Sequence, residues 1–193
     1  NATFIKNTQE NYNFGTVLTG VISGQALTDV SVQKQVEGYL INAFFVKDFQ
    51  GFDANGNSVF KGGESDRIYG GSPNPTTLLG LRSELSYKKW SFILNGYGLY
   101  GHKIYNNTAN ATVGLGNLGK GNVDKRFIGT GESVGNAPSA SSRYIEKGDF
   151  FRLANATLSY DLGNVGETLK GVNIFVTGNN LFVITKYTGF DPE

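Results

Sequence analysis

Residues 79–100 alternate apolar and polar positions on both sides of a pair of lysines, Lys88 and Lys89. The apolar positions are Leu79, Leu81, Leu85, Tyr87, Trp90, Phe92 and Leu94, and the polar positions are Arg82, Glu84, Ser86, Ser91 and Asn95. A period of two residues predicts β-strands, and a two-residue break between two such strands predicts an antiparallel hairpin.

A second hairpin is predicted from residues 150–162 and 171–183, with its turn at 163–170. Weaker alternation predicts strands at residues 1–6 and 14–22, and residues 39–49 form a stronger strand candidate that is apolar at both parities. No segment has a clear helical period. The predicted fold class is therefore all-β, built of antiparallel strands.

Long and short connections alternate along the chain. Residues 51–75 and 102–149 are predicted as long loops, whereas 88–89 and 163–170 are predicted as tight turns. A structureless loop as long as 102–149 is unusual in a compact soluble domain. It is common on the outer side of a membrane barrel, where one set of connections is long and the other is short. The alternation therefore favours a barrel over a sandwich.

In an outer-membrane barrel, apolar side chains face lipid and polar side chains face the lumen. The expected lipid-facing set is Leu81, Leu85, Tyr87, Phe92, Leu94, Leu158, Tyr160, Leu162, Val172, Ile174 and Val176; the expected inward set is Arg82, Glu84, Ser86, Asn95, Asn155, Thr157 and Ser159. Phe175 departs from this pattern. Tyr87 and Trp90, beside the lysine turn, suit an interfacial aromatic girdle. In a soluble protein they would instead fill a core.

Composition narrows the function classes. The 193 residues include 27 Gly, 14 Phe and 10 Tyr, no Cys, and a net charge of +1. The charge gives no general attraction to nucleic acid, and the missing cysteines exclude thiolate metal sites and cysteine catalysis. No run of about 18 apolar residues predicts a transmembrane helix, but barrel strands need only about 9–11 residues each.

Few residues suggest a chemical site. The single histidine, His102, is expected as a solvated loop residue, with too few neighbouring ligands for a metal. Asp53, Asn55, Asn57 and Glu64 occupy positions 1, 3, 5 and 12 of a calcium loop, but Ser58 stands where that loop needs glycine. An ordinary polar turn is the favoured interpretation. The spaced glycines at 114–121 lack the strand and helix of a phosphate-binding loop.

Two further groups have both a functional and an ordinary interpretation. A mixed-charge cluster has two interpretations. It is either an ion network that lines the lumen or anchors a loop, or a set of solvated charges at the start of a strand, and the second is favoured. Its members are Arg143, Glu146, Lys147, Asp149 and Arg152. Tyr97, Tyr100 and Tyr105 could stack on sugar rings, although packing or girdle roles are favoured. No catalytic residue, metal site or cofactor is predicted, and the substrate-binding residues are unknown from the sequence.

An ordered set of motifs gives a more specific signal. The motifs are Gly51-Phe52-Asp53-Ala54-Asn55-Gly56-Asn57, Gly71-Ser72-Pro73-Asn74-Pro75, Arg143-Tyr144-Ile145-Glu146-Lys147-Gly148-Asp149-Phe150-Phe151-Arg152-Leu153, Thr157-Leu158-Ser159-Tyr160, Val176-Thr177-Gly178-Asn179-Asn180-Leu181-Phe182 and Tyr187-Thr188-Gly189-Phe190-Asp191-Pro192-Glu193. In order and spacing they resemble the C-terminal part of the SusC/RagA-like TonB-dependent transporters of Bacteroidota. The resemblance extends from about Tyr39 to Glu193.

This resemblance implies a 22-stranded barrel around an N-terminal plug in the bacterial outer membrane. It also implies a SusD-like surface lipoprotein as a lid, energy from TonB acting on the N-terminal part, and uptake of glycans or peptides. Residues 1–193 are expected to be one partial receptor barrel without the plug or the last strand. The expected partners are the lid, TonB, the remaining barrel and membrane lipid, with no nucleic acid and no enzymatic activity.

Two expectations complete this interpretation. Loop 102–149 is expected to contact the lid or the substrate. The alternative function is a soluble β-sandwich that binds carbohydrate, which would explain the aromatic residues and the glycine-rich turns but not the alternation of loop lengths or the ordered motifs. Behaviour in water separates the two, because a barrel segment needs detergent or its missing strands.

Overall fold

The structure is a computed structural model that describes residues 1–10, 15–24 and 26–193. Its strands in these ranges are β1 (Ala2–Phe4), β2 (Val17–Ile22), β3 (Val30–Gln35), β4 (Ala43–Val46), β5 (Asp48–Phe52), β6 (Ser58–Lys61), β7 (Ile68–Gly71), β8 (Thr77–Tyr87), β9 (Trp90–Tyr100), β10 (Lys103–Tyr105), β11 (Ile145–Lys147), β12 (Phe150–Val165) and β13 (Leu169–Thr185). The paired strands are antiparallel, which confirms the predicted fold class.

The chain divides into two compact units. The sheet unit comprises Asn1–Ile5, Thr76–Tyr100 and Asp149–Lys186. The loop unit comprises Lys6–Pro75, Gly101–Gly148 and Tyr187–Glu193. Each of the two long predicted loops therefore belongs to the loop unit, apart from residue 149.

The sheet unit is one five-stranded sheet in the order β1-β8-β9-β12-β13. Both predicted hairpins are confirmed, since β8 pairs with β9 and β12 pairs with β13. The β8–β9 turn places Lys88 at a φ of 55°, which an L-residue adopts at a cost. The second turn is shorter than predicted, because β12 continues to Val165 and β13 begins at Leu169.

Register shifts interrupt β12 at two places that matter for side-chain direction. One lies between Leu153 and Asn155, and the other spans Asp161 to Val165. A shift of this kind inserts a residue that has no direct partner. The alternation counted from Leu158 and Tyr160 therefore ends before Leu162, and the prediction that Leu162 continues their face is not supported.

The loop unit contains more regular structure than predicted. Its strands form a four-stranded sheet β2-β3-β4-β7 and the pairs β5-β6 and β10-β11. The prediction of an irregular stretch at 51–75 is wrong, because residues 53–57 form the turn of the β5–β6 hairpin. The predicted strand at 39–49 is two strands, β4 and β5. Strand β3 was not predicted, and residue 14 of the predicted strand 14–22 lies outside the described residues.

Two buried clusters form the core of the loop unit. The first contains Ile22, Leu27, Val32, Phe44, Val46 and Ala140, and the second contains Ala109, Leu115, Phe127 and Tyr144. Loop 102–149 supplies the whole of the second cluster and Ala140 of the first. It folds through β10, β11 and short helical turns at Thr108–Thr112, Leu115–Asn117, Lys125–Phe127 and Ser142–Tyr144. This loop is therefore a packed structure with buried apolar side chains.

Among the described residues, none of the helical segments has the length and apolar character needed to cross a membrane.

Candidate functional site: two faces of a sheet and the anchors of a loop unit

One face of the sheet unit is mostly apolar, with Ser83 as a polar member opposite Leu94. Leu85 lies opposite Phe92, Phe92 opposite Leu158, and Leu158 opposite Val176. The next row along the strands is Tyr87, Trp90, Tyr160 and Ile174. The register thus confirms that most of the residues predicted to face lipid share one side of the sheet, whereas Leu162 and Val172 lie at the register shift and are not placed on that side by it. Leu85 is 64% exposed and Val176 is 67% exposed, so this face is open to its surroundings.

The opposite face carries the predicted inward set. Asn95, Asn155 and Asn179 form one row with Arg82. The side-chain amide nitrogen of Asn95 donates to the side-chain oxygen Oδ1 of Asn155 at 2.8 Å. In the next row the hydroxyls of Thr157 and Thr177 are 2.9 Å apart. These cross-strand hydrogen bonds pair polar side chains along this face of the sheet.

Phe175 is a large apolar side chain on this polar face, where Ile93 also lies, opposite Glu84 and Thr157. Phe175 lies opposite Ser159 and is 69% exposed. The sequence alternation had already set Phe175 apart, and the register places it on the polar side.

An aromatic row closes the apolar face at the lysine turn. The rings of Trp90 and Tyr160 have centroids 4.6 Å apart. The ammonium of Lys88 lies 5.3 Å from the centroid of the Tyr87 ring. Amphipathic aromatic rings beside a cation are typical of a membrane–water interface. The geometry therefore agrees with the predicted girdle.

Arg143 is the main anchor of the loop unit. Its guanidinium forms an ion pair with Glu132 at 2.8 Å, and the two side chains are only 12% and 6% exposed. The guanidinium also lies 4.8 Å from the ring centroid of Phe52 and 4.9 Å from that of Phe127. Arginine stacks well on aromatic faces when water is excluded. This one side chain therefore ties the β5–β6 hairpin to the segment 125–144.

Glu146 is a second anchor. Its carboxylate accepts the backbone N–H of Thr188 at 2.8 Å, the hydroxyl of Thr188 at 2.6 Å and the side-chain amide of Asn106 at 2.8 Å. The guanidinium of Arg126 lies 3.9 Å away. The carboxylate thus holds residues 187–193 against loop 102–149, which no sequence pattern indicated.

The predicted charge cluster is not a single network. Arg143 and Glu146 bind different partners within the loop unit, whereas Asp149 and Arg152 belong to the sheet unit. The favoured interpretation of a solvated strand entrance is wrong for Arg143, because this side chain is buried. The loop-anchoring interpretation fits Arg143 and Glu146. No sequence pattern indicated Glu132, Phe52 or Phe127 as partners of Arg143, because they lie in other segments, 11 to 91 residues before it.

In the loop unit His102 is buried, and Tyr105 is partly buried against both core clusters. His102 is 6% exposed, so the expectation of a solvated histidine is wrong. Its imidazole occupies the space where a side chain at Gly148 would lie, which explains why position 148 suits glycine. The hydroxyl of Tyr105 accepts from the amide of Asn110 at 2.8 Å. Burial raises the pKa of Tyr105 well above that of an ordinary phenol. A sugar-stacking role for Tyr105 does not fit this burial.

The calcium-loop positions form a hydrogen-bonded turn. The Asp53 carboxylate accepts the backbone N–H groups of Asn55 and Asn57, both at 2.8 Å. These hydrogen bonds lower the pKa of Asp53. Glu64 pairs with Lys47 instead. Across the described parts of the chain, no cluster of three or more His, Cys, Asp or Glu side chains could hold a metal ion.

Comparison with known proteins gives matches over most of the chain. TonB-dependent receptor SusC of Bacteroides thetaiotaomicron is 29% identical over 229 residues, which cover 95% of this chain and 21% of the relative. TonB-dependent receptor P3 of Formosa agariphila is 30% identical over 155 residues, covering 73% of this chain and 15% of the relative. The chain thus spans about a fifth or less of these relatives.

A solved structure shares the fold. The RagAB peptide importer in its 'open-open' state superposes with a TM-score of 0.73 and 23% identity, over 96% of this chain and 22% of the other. No protein-family model matches the chain.

Proposed function

We propose that this chain, a SusC/RagA-like segment, supplies wall strands and outer loops to an outer-membrane importer of glycans or peptides. In this proposal residues 1–193 are one part of a TonB-dependent receptor barrel. The remaining barrel closes the sheet, TonB supplies energy through another part of the receptor, and a SusD-like lipoprotein acts as a lid. The role of this chain is transport and not catalysis.

One observation carries the proposal: the sheet unit has an exposed apolar face on one side and hydrogen-bonded polar rows on the other. A water-soluble sandwich would bury the apolar side against a second sheet. In a membrane barrel the apolar side meets lipid and the polar side meets the aqueous lumen. The relatives and the RagAB fold agree with this assignment. No feature of the described residues favours the carbohydrate-binding sandwich specifically.

The distribution of connections supports an orientation. The two hairpin turns of the sheet unit are short, whereas its long connections form the loop unit. In outer-membrane barrels the short turns face the periplasm and the long loops face outward. The loop unit would therefore lie on the cell exterior, where the lid and the substrate arrive.

Three exposed apolar residues make loop 102–149 the proposed lid contact. Leu118, Ile128 and Val134 are 56%, 63% and 54% exposed. Their replacement by Ser, Thr and Thr should weaken co-purification of the lid lipoprotein with the full receptor. This test is sharper than deletion of the loop, because deletion would remove the buried side chains of Phe127 and Tyr144. Unchanged lid binding by a folded triple variant would place the contact elsewhere.

Transport itself is tested with the full-length receptor in cells, using panels of labelled oligosaccharides and peptides. We expect uptake of one class, abolished by a protonophore because TonB-driven import needs energy. A paired substitution checks the wall at a row farther from the Tyr87–Trp90 girdle: Leu94→Arg should impair membrane insertion, whereas Asn95→Arg, on the opposite face, should be tolerated. An arginine on the lipid face near the bilayer midplane costs about 2–4 kcal/mol. Energy-independent uptake, or equal effects of the two substitutions, would contradict the proposal.

A further inference from the structure

We propose that the apolar face of the sheet unit carries a specific site for one anionic phospholipid, with an acyl chain in a groove beside Trp90 and the phosphate at Lys88 and Lys89. This inference rests on the proposed function, because it requires the apolar face to lie in a membrane. It goes beyond that function by assigning a ligand and its residues.

The groove is a feature of the sheet surface with a volume of about 230 Å³. Its lining residues are Trp90, Leu158, Tyr160, Ile174, Phe175 and Val176. All except Phe175 belong to the apolar face by strand register. The lining is almost purely apolar, so it suits a hydrocarbon chain.

The groove lies at one end of the sheet, close to a concentration of positive charge. Trp90 forms its rim and directly follows Lys88 and Lys89 in the chain. The ammonium of Lys88 stands 5.3 Å from the Tyr87 ring centroid. Because Tyr87 is in the same row as Trp90 on the apolar face, Lys88 is directed to the lipid side of the turn. Basic residues next to an apolar membrane surface attract anionic headgroups.

The other charged residues at this end of the sheet do not cancel the attraction between the lysines and an anionic headgroup. Lys170 adds a third cation near the β12–β13 turn, and Glu167 in that turn opposes it. Asp161 lies opposite Asn173, one position from the Tyr160–Ile174 pair, and so alternates onto the polar face. The backbone carbonyl of Lys89 accepts from the N–H of Asp161 at 2.8 Å. This bond fixes the backbone of the turn against β12, next to Tyr160 of the groove.

The leaflet that the two lysines face determines which lipids they can bind. A short turn of an outer-membrane barrel faces the periplasm, so the lysines would meet the inner leaflet and its phospholipids. The expected ligand is therefore a glycerophospholipid with an anionic headgroup, such as phosphatidylglycerol. A phosphate without acyl chains would lack the contact with the groove.

The test uses the full-length receptor in nanodiscs made from equal parts of phosphatidylethanolamine and phosphatidylglycerol. Native mass spectrometry measures which lipids stay bound after gentle release. One variant, Lys88→Asn with Lys89→Gln, removes both charges and keeps a residue that tolerates positive φ at 88. A second, Val176→Phe, fills the groove without changing charge. The control, Lys120→Gln with Lys125→Gln, removes two exposed lysines from the loop unit.

We expect the wild-type receptor to retain phosphatidylglycerol in preference to phosphatidylethanolamine. In the lysine variant this preference should fall roughly fivefold for each lysine removed. The groove variant should retain less phosphatidylglycerol than the wild type. The control should match the wild type. Glycerophosphoglycerol, which has the headgroup without acyl chains, should not compete. Wild-type behaviour by either test variant, or effective competition by the soluble headgroup, would overturn the site.

The two proposals fail in different ways. A wild-type receptor that enters nanodiscs and shows no lipid preference would overturn the lipid site alone. A wild-type receptor that does not enter nanodiscs would overturn the membrane role and the lipid site together.

Discussion

Replacement of Arg143 by methionine should release the β5–β6 hairpin from the rest of the loop unit. Methionine keeps much of the apolar contact with the surrounding rings but removes the charge. Glu132, which is 6% exposed, would then be a buried carboxylate without its cation. Its remaining side-chain partner is the amide of Asn136, which donates to it at 2.8 Å.

The size of the effect follows from that burial. Breaking a buried ion pair by removing one partner costs about 3–5 kcal/mol, whereas an exposed pair contributes about 0–1 kcal/mol. The lost cation–π contacts add to the cost, at about 0.5–1 kcal/mol for each one that is exposed and more when it is desolvated. Local opening of the loop unit should therefore increase roughly a hundredfold to a few thousandfold, since about 1.4 kcal/mol corresponds to a factor of ten.

Hydrogen–deuterium exchange of the full-length receptor measures this opening directly. Peptides covering residues 49–60 and 125–145 should exchange faster in Arg143→Met, while peptides from β8 and β9 should not change. Adding Glu132→Gln to Arg143→Met should recover much of the protection, because no buried charge is then left unpaired. Lys61→Met, at an exposed position of the same unit, is the control. Equal protection in Arg143→Met and Lys61→Met would refute the reasoning.

Three further predictions concern single side chains of the loop unit. Glu146→Gln should free residues 187–193 at a cost of about 1–3 kcal/mol, seen as faster proteolysis of that segment; an unchanged cleavage rate would contradict the anchor. Burial raises the pKa of Tyr105. The neutral Tyr105 side chain should therefore stabilise the folded loop unit fully below the ordinary phenol pKa of about 10, and this contribution should be lost as the pH rises above it. Tyr105→Phe should therefore remove part of the alkaline unfolding and of the phenolate absorbance, and an identical alkaline profile would argue against burial. The lowered pKa of Asp53 predicts the opposite sign: the 53–57 turn should keep its exchange protection until the pH falls below about 3.8, and loss of protection at a higher pH would contradict the hydrogen-bond assignment.

The sequence predicted the sheet unit well because its determinants are local. Alternation with a period of two places side chains on alternating faces, and a hairpin requires only that two such segments be joined by a turn. Residues 79–100 satisfy both conditions, so the pairing of Leu85 with Phe92 could be anticipated. The end of β12 could not, because register shifts depend on how both partner strands fit.

The loop unit was predicted poorly because its determinants are distant in sequence. Arg143 is buried only because Phe52 and Phe127 arrive from separate segments to surround it. The sequence around His102 predicts a polar, solvated residue, whereas its burial involves Gly148, 46 residues later, whose N–H donates to the backbone carbonyl of His102 next to the β10–β11 pair. The Asn55-Gly56 pair was recognised as turn chemistry but was assigned to a long loop, since the short strands on either side of it have weak alternation.

The ordered motifs carried information about the loop unit that the hydrophobic periodicity did not. The segment 143–153 contains the anchors Arg143 and Glu146 and the start of β12, so its residue types are constrained by partners in several parts of the chain. Such a segment is informative as an ordered string even though its individual contacts cannot be inferred from it.

The central claim is that one face of the sheet unit meets lipid and the other meets water. Nitroxide labels on single cysteines in the full-length receptor, placed at Leu85, Ser86, Thr157 and Leu158 and reconstituted in liposomes, test it most directly. The account predicts that labels at 85 and 158 collide mainly with oxygen dissolved in the bilayer, and that labels at 86 and 157 collide mainly with a water-soluble nickel complex. Equal accessibility at neighbouring positions, or exclusion of both reagents from 85 and 158, would contradict it.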